Sequence, residues 1–198
     1  MSENVEPSTS MKLIQQAVLA LLCAALGAVA GFKYAKVAEH NRLERNKTLA
    51  RLTHDVWSEA NDDAALSTAR KVYAFDFVAH NPAGGSHGFD AFFQGLRENR
   101  ADFPNWTEKV ESIVAEGDLV AVRFTSKGTQ GRDLSPIPHV QPLVPNRNRS
   151  VTLHETEIYR VADGKLAEQW DLWDGWDFYG QLGLFNADQW PESVCGTR

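Results

Sequence analysis

Between Asp163 and Gly183 the chain reads DGKLAEQWDLWDGWDFYGQLG, an arrangement of acids and aromatics that could carry chemistry. Asp163-Gly164 is a tight-turn dipeptide. After it Leu166, Glu168, Trp170, Leu172 and Asp174 recur with period two, which on a strand puts all five on one face. A solvated face would not carry Leu, Trp and Leu, and a plain core face would not carry two carboxylates. The mixture is the pattern of a pocket wall. By the same parity Asp171 falls on the opposite, surface side unless a bulge shifts the register. Asp174, at the end of this strand, would sit in partly apolar surroundings, where lost hydration disfavours the ionised form and raises a carboxyl pKa by up to ~3–5 units. That prepares a general acid or base for work near neutral pH, and Asp174 is the first catalytic candidate. Its alternative role is to cap the segment that Gly175 opens. Glu168 on the same face would either touch substrate or form a salt bridge with Arg123 or Arg160.

His80 follows Phe77-Val78 and precedes Asn81-Pro82. It is the second catalytic candidate, able to hydrogen-bond a substrate carbonyl or share a proton with Asp174, or else to tie down the next loop. His154, between Thr152 and Thr156, reads as a satisfied strand histidine or a substrate contact. Trp106 and Trp170 are the expected pocket-lining aromatics, and with Trp173, Trp176, Phe178 and Tyr179 they suit either a flat apolar ligand or a core. The histidines at 80, 87, 139 and 154 show no metal-site spacing, so no metal is expected. No nucleophile elbow or phosphate-cradling loop occurs, which disfavours serine-hydrolase, phosphoryl and hydride chemistry.

The elements that must position these residues come in two runs. Asn41 to Asn61 reads as a long helix with Leu49, Leu52, Val56 and Ala60 as its stripe. Asp62 and Asp63 can cap a second helix through Val72. Phe75 to Asn81 is a short extended piece. Ser86 is a plausible cap for a third helix, whose apolar face is Phe89, Phe92, Phe93 and Leu96, with Pro104 ending it. From Trp106 the period becomes two, giving strands over 106–115, 119–129, 151–161 and 165–174, with Gly117-Asp118 and Asp163-Gly164 as turns. Helices followed by an antiparallel sheet is an α+β arrangement. Residues 131–148, with four prolines and no periodicity, form a loop and an expected pocket rim.

The 198 residues are 43% hydrophobic and 23% charged, ordinary globular composition. A net charge of −6 argues against nucleic acid as a partner. Cys23 and Cys195 are the only cysteines. The stretch 17–32 (AVLALLCAALGAVAGF) is uninterrupted by polar residues. It reads as a signal peptide cleaved after Ala28-Val29-Ala30, which would export the domain. The alternatives are a membrane anchor over 13–32 followed by Lys33, Lys36, Arg42, Arg45 and Lys47, or a buried helix. The resulting division is 1–32 signal or anchor, 33–45 linker or helix start, 46–190 domain and 191–198 tail.

Arg160 to Lys165 (Arg-x-x-Asp-Gly-Lys), Glu168, Trp170, Asp174 and Gln181-Leu182-Gly183 together resemble the C-terminal signature of SnoaL-like polyketide cyclases, the ester cyclases of the nuclear-transport-factor-2-like superfamily. Phe77 to Pro82, Phe103-Pro104, Glu116-Gly117-Asp118, Val120 to Arg123 and Gly128-Thr129 agree with it, from about Asn46 to Phe185. The resemblance implies a cone-shaped α+β fold with a curved antiparallel sheet on three helices. It also implies a small apolar carbonyl compound as ligand, and cofactor-free acid/base catalysis of the cyclase or isomerase type by an acid in the Asp174 region. A His at position 80 is frequent in the family. The chain departs from the pattern at Gln130, where relatives have His, and over 132–150, where it lacks Thr-Gly. A non-catalytic ligand-binding or protein-interaction module is the alternative of the same fold. A homodimer through the outer sheet face, with Thr125, Lys127, Asp171 and Trp173 as candidates, is the expected assembly.

Overall fold

A computed structural model describes residues 9–80, 85–134 and 144–184. The chain divides into two units, Met1–Arg42 and Leu43–Arg198. Helix α1 runs unbroken over Thr9–Ser58. Within the first unit the described apolar side chains are exposed, Leu21 at 71% and Leu26 at 70%, so this stretch is not a core helix.

The second unit contains the rest of α1, then α2 (Asp62–Val72), β1 (Tyr73–His80), β2 (Ser86–Gly88), α3 (Phe89–Asp102), β3 (Thr107–Glu116), β4 (Leu119–Thr129), β5 (Ser150–Ala162), β6 (Lys165–Leu172) and α4 (Gly175–Gln181). The strands form one six-stranded sheet in the order β2-β1-β6-β5-β4-β3. All neighbours are antiparallel except β1 and β6. The expected antiparallel sheet thus acquires one parallel pair, because the short extended piece after α2 docks beside the last strand rather than ending at the helices. Asp163 and Gly164, at φ 49° and 72°, make the turn that Asp-Gly foretold. Helix α2 is capped by Asn61, whose side chain accepts from the Ala64 N–H at 3.0 Å, while Asp62 and Asp63 occupy its first turn. Ser86 does not cap α3: it lies in β2 opposite His80, and Gly88 is the cap residue.

Helices and sheet enclose a core of Ala50, Val56, Phe77, Leu96, Val122, Tyr159 and Leu166, among others. Trp106, Phe103, Leu153 and Leu182 form a second cluster at the α4 end. Polar residues also enter the interior: Thr53, His54, Glu157 and Gln169 are buried.

One irregularity decides which side chains face inward. Between β5 and β6 the register moves from Arg160 opposite Glu168 to Val161 opposite Leu166, so Ala167 is an extra residue, a bulge. Leu166 and Ala167 are both buried, and beyond them the parity is reversed. Gln169 and Asp171 point inward, whereas Trp170 and Leu172 are exposed. The single face anticipated for Leu166, Glu168, Trp170, Leu172 and Asp174 therefore does not exist. Asp171, placed on the surface by parity alone, is an interior residue.

Candidate active site

A cavity of about 530 Å³ opens between α3, the inner sheet face and α4. Its aromatic wall includes Trp57, Phe92, Phe103, Trp106, Trp173 and Tyr179. The sheet supplies four carboxyls to it: Glu108 from β3, Glu155 and Glu157 from β5, and Asp171 from β6. Alternation explains their convergence. On β5, Leu153, Glu155, Glu157 and Tyr159 share the inner side, and Glu157 stands opposite Asp171.

Burial governs their protonation, since a carboxylate removed from water is disfavoured relative to the acid. It pushes Glu108 and Glu155 up to about 8 and Asp171 up to about 7. Glu157 is pushed well above the ordinary value, first by burial and then by the charge of Asp171. The carboxyls reinforce one another, because no lysine or arginine lies among the described lining residues.

Behind the carboxyls lies a hydrogen-bonded layer. Trp106 Nε1 donates to Glu108 Oε1 at 3.0 Å, and Glu108 Oε2 lies 2.8 Å from His54 Nδ1. Burial also drives His54 down to about 4, so at neutral pH both partners are uncharged. The contact is then a hydrogen bond between neutral partners through Nδ1, with His54 Nε2 on the far side of the ring. That Nε2 lies 3.9 Å from Glu157 Oε2. Tyr159 donates its hydroxyl hydrogen to Glu157 and sits 2.8 Å from Thr53 Oγ1, while Gln169 Nε2 donates to Glu157 Oε1 at 3.0 Å. Glu108 and Glu157 are thus committed to the protein. Glu155 Oε1, Asp171 Oδ1 and Gln169 Oε1 have no hydrogen-bond partner among the described residues.

The residues expected from sequence fall elsewhere, with two exceptions. Trp106 is buried and lines the cavity. His80 borders it, but its Nε2 lies 3.1 Å from Glu168 and its ring stacks on Trp170, 5.0 Å between centroids. Glu168 is on the outer face, where it accepts from Arg160 Nε at 2.8 Å, the salt-bridge alternative; these hydrogen bonds hold its carboxyl below the ordinary range. Trp170 is on that outer face as well. So is His154, beside Thr125 at 3.1 Å and away from the cavity. Asp174 is exposed, does not border the cavity, and caps α4: its Oδ1 accepts from the N–H groups of Trp176 and Asp177, each at 3.0 Å. His139 and Cys195 lie outside the described residues.

Helices packed on one face of a bulged sheet around an acid-lined, aromatic cavity define a cone-shaped α+β fold of the nuclear-transport-factor-2-like type. The chain belongs to the SnoaL-like polyketide cyclase family, whose model matches residues 47–182. The fold is similar to that of AclR from Streptomyces galilaeus, at 23% identity and TM-score 0.60 over 73% of this chain and 99% of that one. It is similar to IdmH from Streptomyces antibioticus, at 24% identity and TM-score 0.58 over 70% and 99%. A SnoaL-like protein from Jannaschia sp. CCS1 shares 19% identity at TM-score 0.62 over 73% and 95%. No curated protein matches the chain.

Proposed function

We propose that the domain binds a small apolar carbonyl compound and performs cofactor-free acid/base chemistry on it, of the cyclase or isomerase type. The observation that supports this most is the pair of cavity carboxyls with unpartnered oxygens and different acidities, Asp171 at about 7 and Glu155 at about 8. At neutral pH the first is partly ionised and can take a proton from the carbon next to the carbonyl. The second holds its proton and can hydrogen-bond the carbonyl oxygen as negative charge develops there. Trp106 fixes Glu108 at the cavity wall, His80 closes its edge, and Asp174 orders α4, which brings Phe178 and Tyr179 to the cavity.

Proton abstraction has a readout that needs no knowledge of the product. In D2O the enzyme should wash deuterium into the α-carbon of an aryl ketone or β-keto ester, seen by loss of the proton NMR signal. Asp171→Asn should slow this by ~100–10,000-fold, as removal of a general base does. Asp174→Asn should leave it nearly unchanged. Exchange at the wild-type rate in Asp171→Asn would remove Asp171 from the role. A binding module without catalysis is the reading left if no carbonyl compound exchanges.

We further read the apolar stretch as an export signal ending at Ala28-Val29-Ala30. The apolar helix through that site is compatible with this signal and with the second reading, an uncleaved anchor. N-terminal sequencing of the protein from its own cells separates them: a chain starting near Gly31 means cleavage, and an intact chain in the membrane fraction means an anchor. For assembly we propose a homodimer through the outer sheet face, where Ile158, Trp170 and Leu172 are exposed and Lys127 also lies; Thr125 is buried, and Asp171 and Trp173 line the cavity, so these three do not belong to that surface.

A further inference from the structure

The cavity has a charge character that acid/base chemistry on a neutral carbonyl does not require. Six of its lining residues are carboxylic acids: Glu98 and Asp102 on α3, Glu108 on β3, Glu155 and Glu157 on β5, and Asp171 on β6. Against them stand only two imidazoles, His80 and His87, at its edge, with His54 behind Glu108. Asp102 alone has a guanidinium partner, Arg132, reaching in from outside the lining at 2.5 Å.

Three unpartnered oxygens at the cavity can accept hydrogen bonds, beside one unpartnered donor, Asn99 Nδ2. Gln169, only 4% exposed, spends its amide N–H on Glu157 and leaves its carbonyl oxygen Oε1 without a donor at the cavity. Glu155 Oε1 and Asp171 Oδ1 are also unsatisfied. A buried acceptor left without a donor is costly, so a ligand that brings donors to all three recovers that loss. The surrounding rings of Trp57, Phe103, Trp106 and Trp173 present π faces and edges that favour positive over negative charge. Among the described residues no group of three or more His, Cys, Asp or Glu converges as metal ligands would. The charge that fits is therefore organic.

We propose that the cavity selects a ligand whose apolar, ring-sized body carries a protonated amine, and that it rejects carboxylates and phosphates. The proposal rests on the reading of this cavity as the ligand site; because an ammonium on Glu155 and Asp171 takes both acids from the carbonyl reaction, the amine is a ligand that competes with the carbonyl substrate. The ammonium donates to Gln169 Oε1 and to the Glu155–Asp171 pair, while the body lies against the aromatic wall. An ammonium there favours the ionised carboxylates, so binding releases protons. Affinity for the amine consequently rises with pH between about 6 and 8. The increase is roughly tenfold if Asp171 alone must ionise and roughly 500-fold if Glu155 must ionise as well. A neutral carbonyl ligand, held by the protonated acids, shows the reverse slope.

The test compares ligands of one shape and different charge on the full chain in mild detergent, with detergent alone as the blank. 2-Naphthylmethylamine, 2-naphthylmethanol, 2-acetylnaphthalene and 2-naphthoate are titrated calorimetrically at pH 6, 7 and 8, in two buffers of different ionisation enthalpy. The expected result is tightest binding by the amine, at least tenfold over the alcohol at pH 8. Its affinity should rise with pH, with proton release to the buffer and no detectable binding of the naphthoate. Gln169→Leu should weaken the amine and leave 2-acetylnaphthalene unchanged; Asp174→Asn, outside the cavity, should leave both unchanged. Equal binding of amine and alcohol, an amine affinity flat or falling with pH, or no amine binding at millimolar concentration would each overturn the proposal. Preferred binding of 2-acetylnaphthalene that weakens as pH rises would overturn it too, yet leave the carbonyl acid/base reading standing.

Discussion

Raising the pH from 7 to 9 should destabilise this domain through its own cavity. Glu108 and Glu155 keep their protons to about pH 8 when folded and Asp171 to about pH 7, because burial opposes ionisation. The unfolded chain, with ordinary carboxyls, has released those protons above about pH 4.5. The folded state therefore binds more protons, and the unfolded state gains as pH rises through the folded pKa values. Over pH 7 to 9, Glu108 and Glu155 each lose a little over about 1 kcal/mol of stability and Asp171 less than half that, for a total of roughly 3 kcal/mol. In a domain of this size that is a fall in Tm of roughly 6–12 °C. His54, held near 4, acts in the opposite direction but only below about pH 6.5, where the unfolded chain takes up a proton that the folded one refuses. It does not disturb the window. Differential scanning calorimetry of the full chain at pH 7, 8 and 9 measures the slope, and Glu155→Gln should remove roughly two fifths of it. A Tm that is level or rises over this range would refute the assignment of buried, protonated acids.

Three further outcomes follow from the geometry. Asp174→Ala, which deletes the acceptor for the Trp176 and Asp177 N–H groups, should cost about 1 kcal/mol in thermal unfolding, while Asp174→Asn should be almost neutral. Gly128→Ala would put a methyl group 2.7 Å from the Trp106 ring and 3.0 Å from Phe103 Cβ; it should destabilise by about 1–3 kcal/mol and weaken ligand binding by moving Trp106, and wild-type stability would show that the ring yields freely. Leu172→Arg on the outer face should give monomers in light scattering at micromolar concentration with unchanged thermal stability per chain, and persisting dimers would place the interface elsewhere.

Much of the fold was legible because it rests on local pattern. The period change near Trp106 marks the step from helices to sheet, and the turns at 117–118 and 163–164 set strand lengths. The site was less legible, for one nonlocal reason. Parity along β6 holds only while the ladder is regular, and the Ala167 bulge turns Asp171 and Gln169 inward while turning Glu168 and Trp170 outward. Nothing in the strand's own residues marks that position, since the bulge depends on how β5 is paired. Glu155 and Glu157, by contrast, carry a readable signal. Leu153, Glu155, Glu157, Tyr159 and Val161 form the mixed apolar and acidic alternation that singled out β6, and applying that criterion to β5 would have found them. His54 lies four residues after Ala50 on the buried side of α1, a polar residue inside an apolar stripe, which is also a readable sign. Glu108 carries part of the same signal, sharing a strand face with Trp106 two residues before it, whereas its contact with His54 is made only by the fold.

The account depends on the cavity carboxyls being held near neutrality, and that can be observed directly. Carbon-13 NMR of the full chain labelled at its Asp and Glu carboxyl carbons, titrated from pH 4 to 9 and assigned with Asp171→Asn and Glu155→Gln, reports each group in turn. Asp171 should titrate at about 7 and Glu155 at about 8. Carboxyl signals that all complete their change below about pH 5 would contradict the account, because neither group could then act as an acid or base near neutral pH.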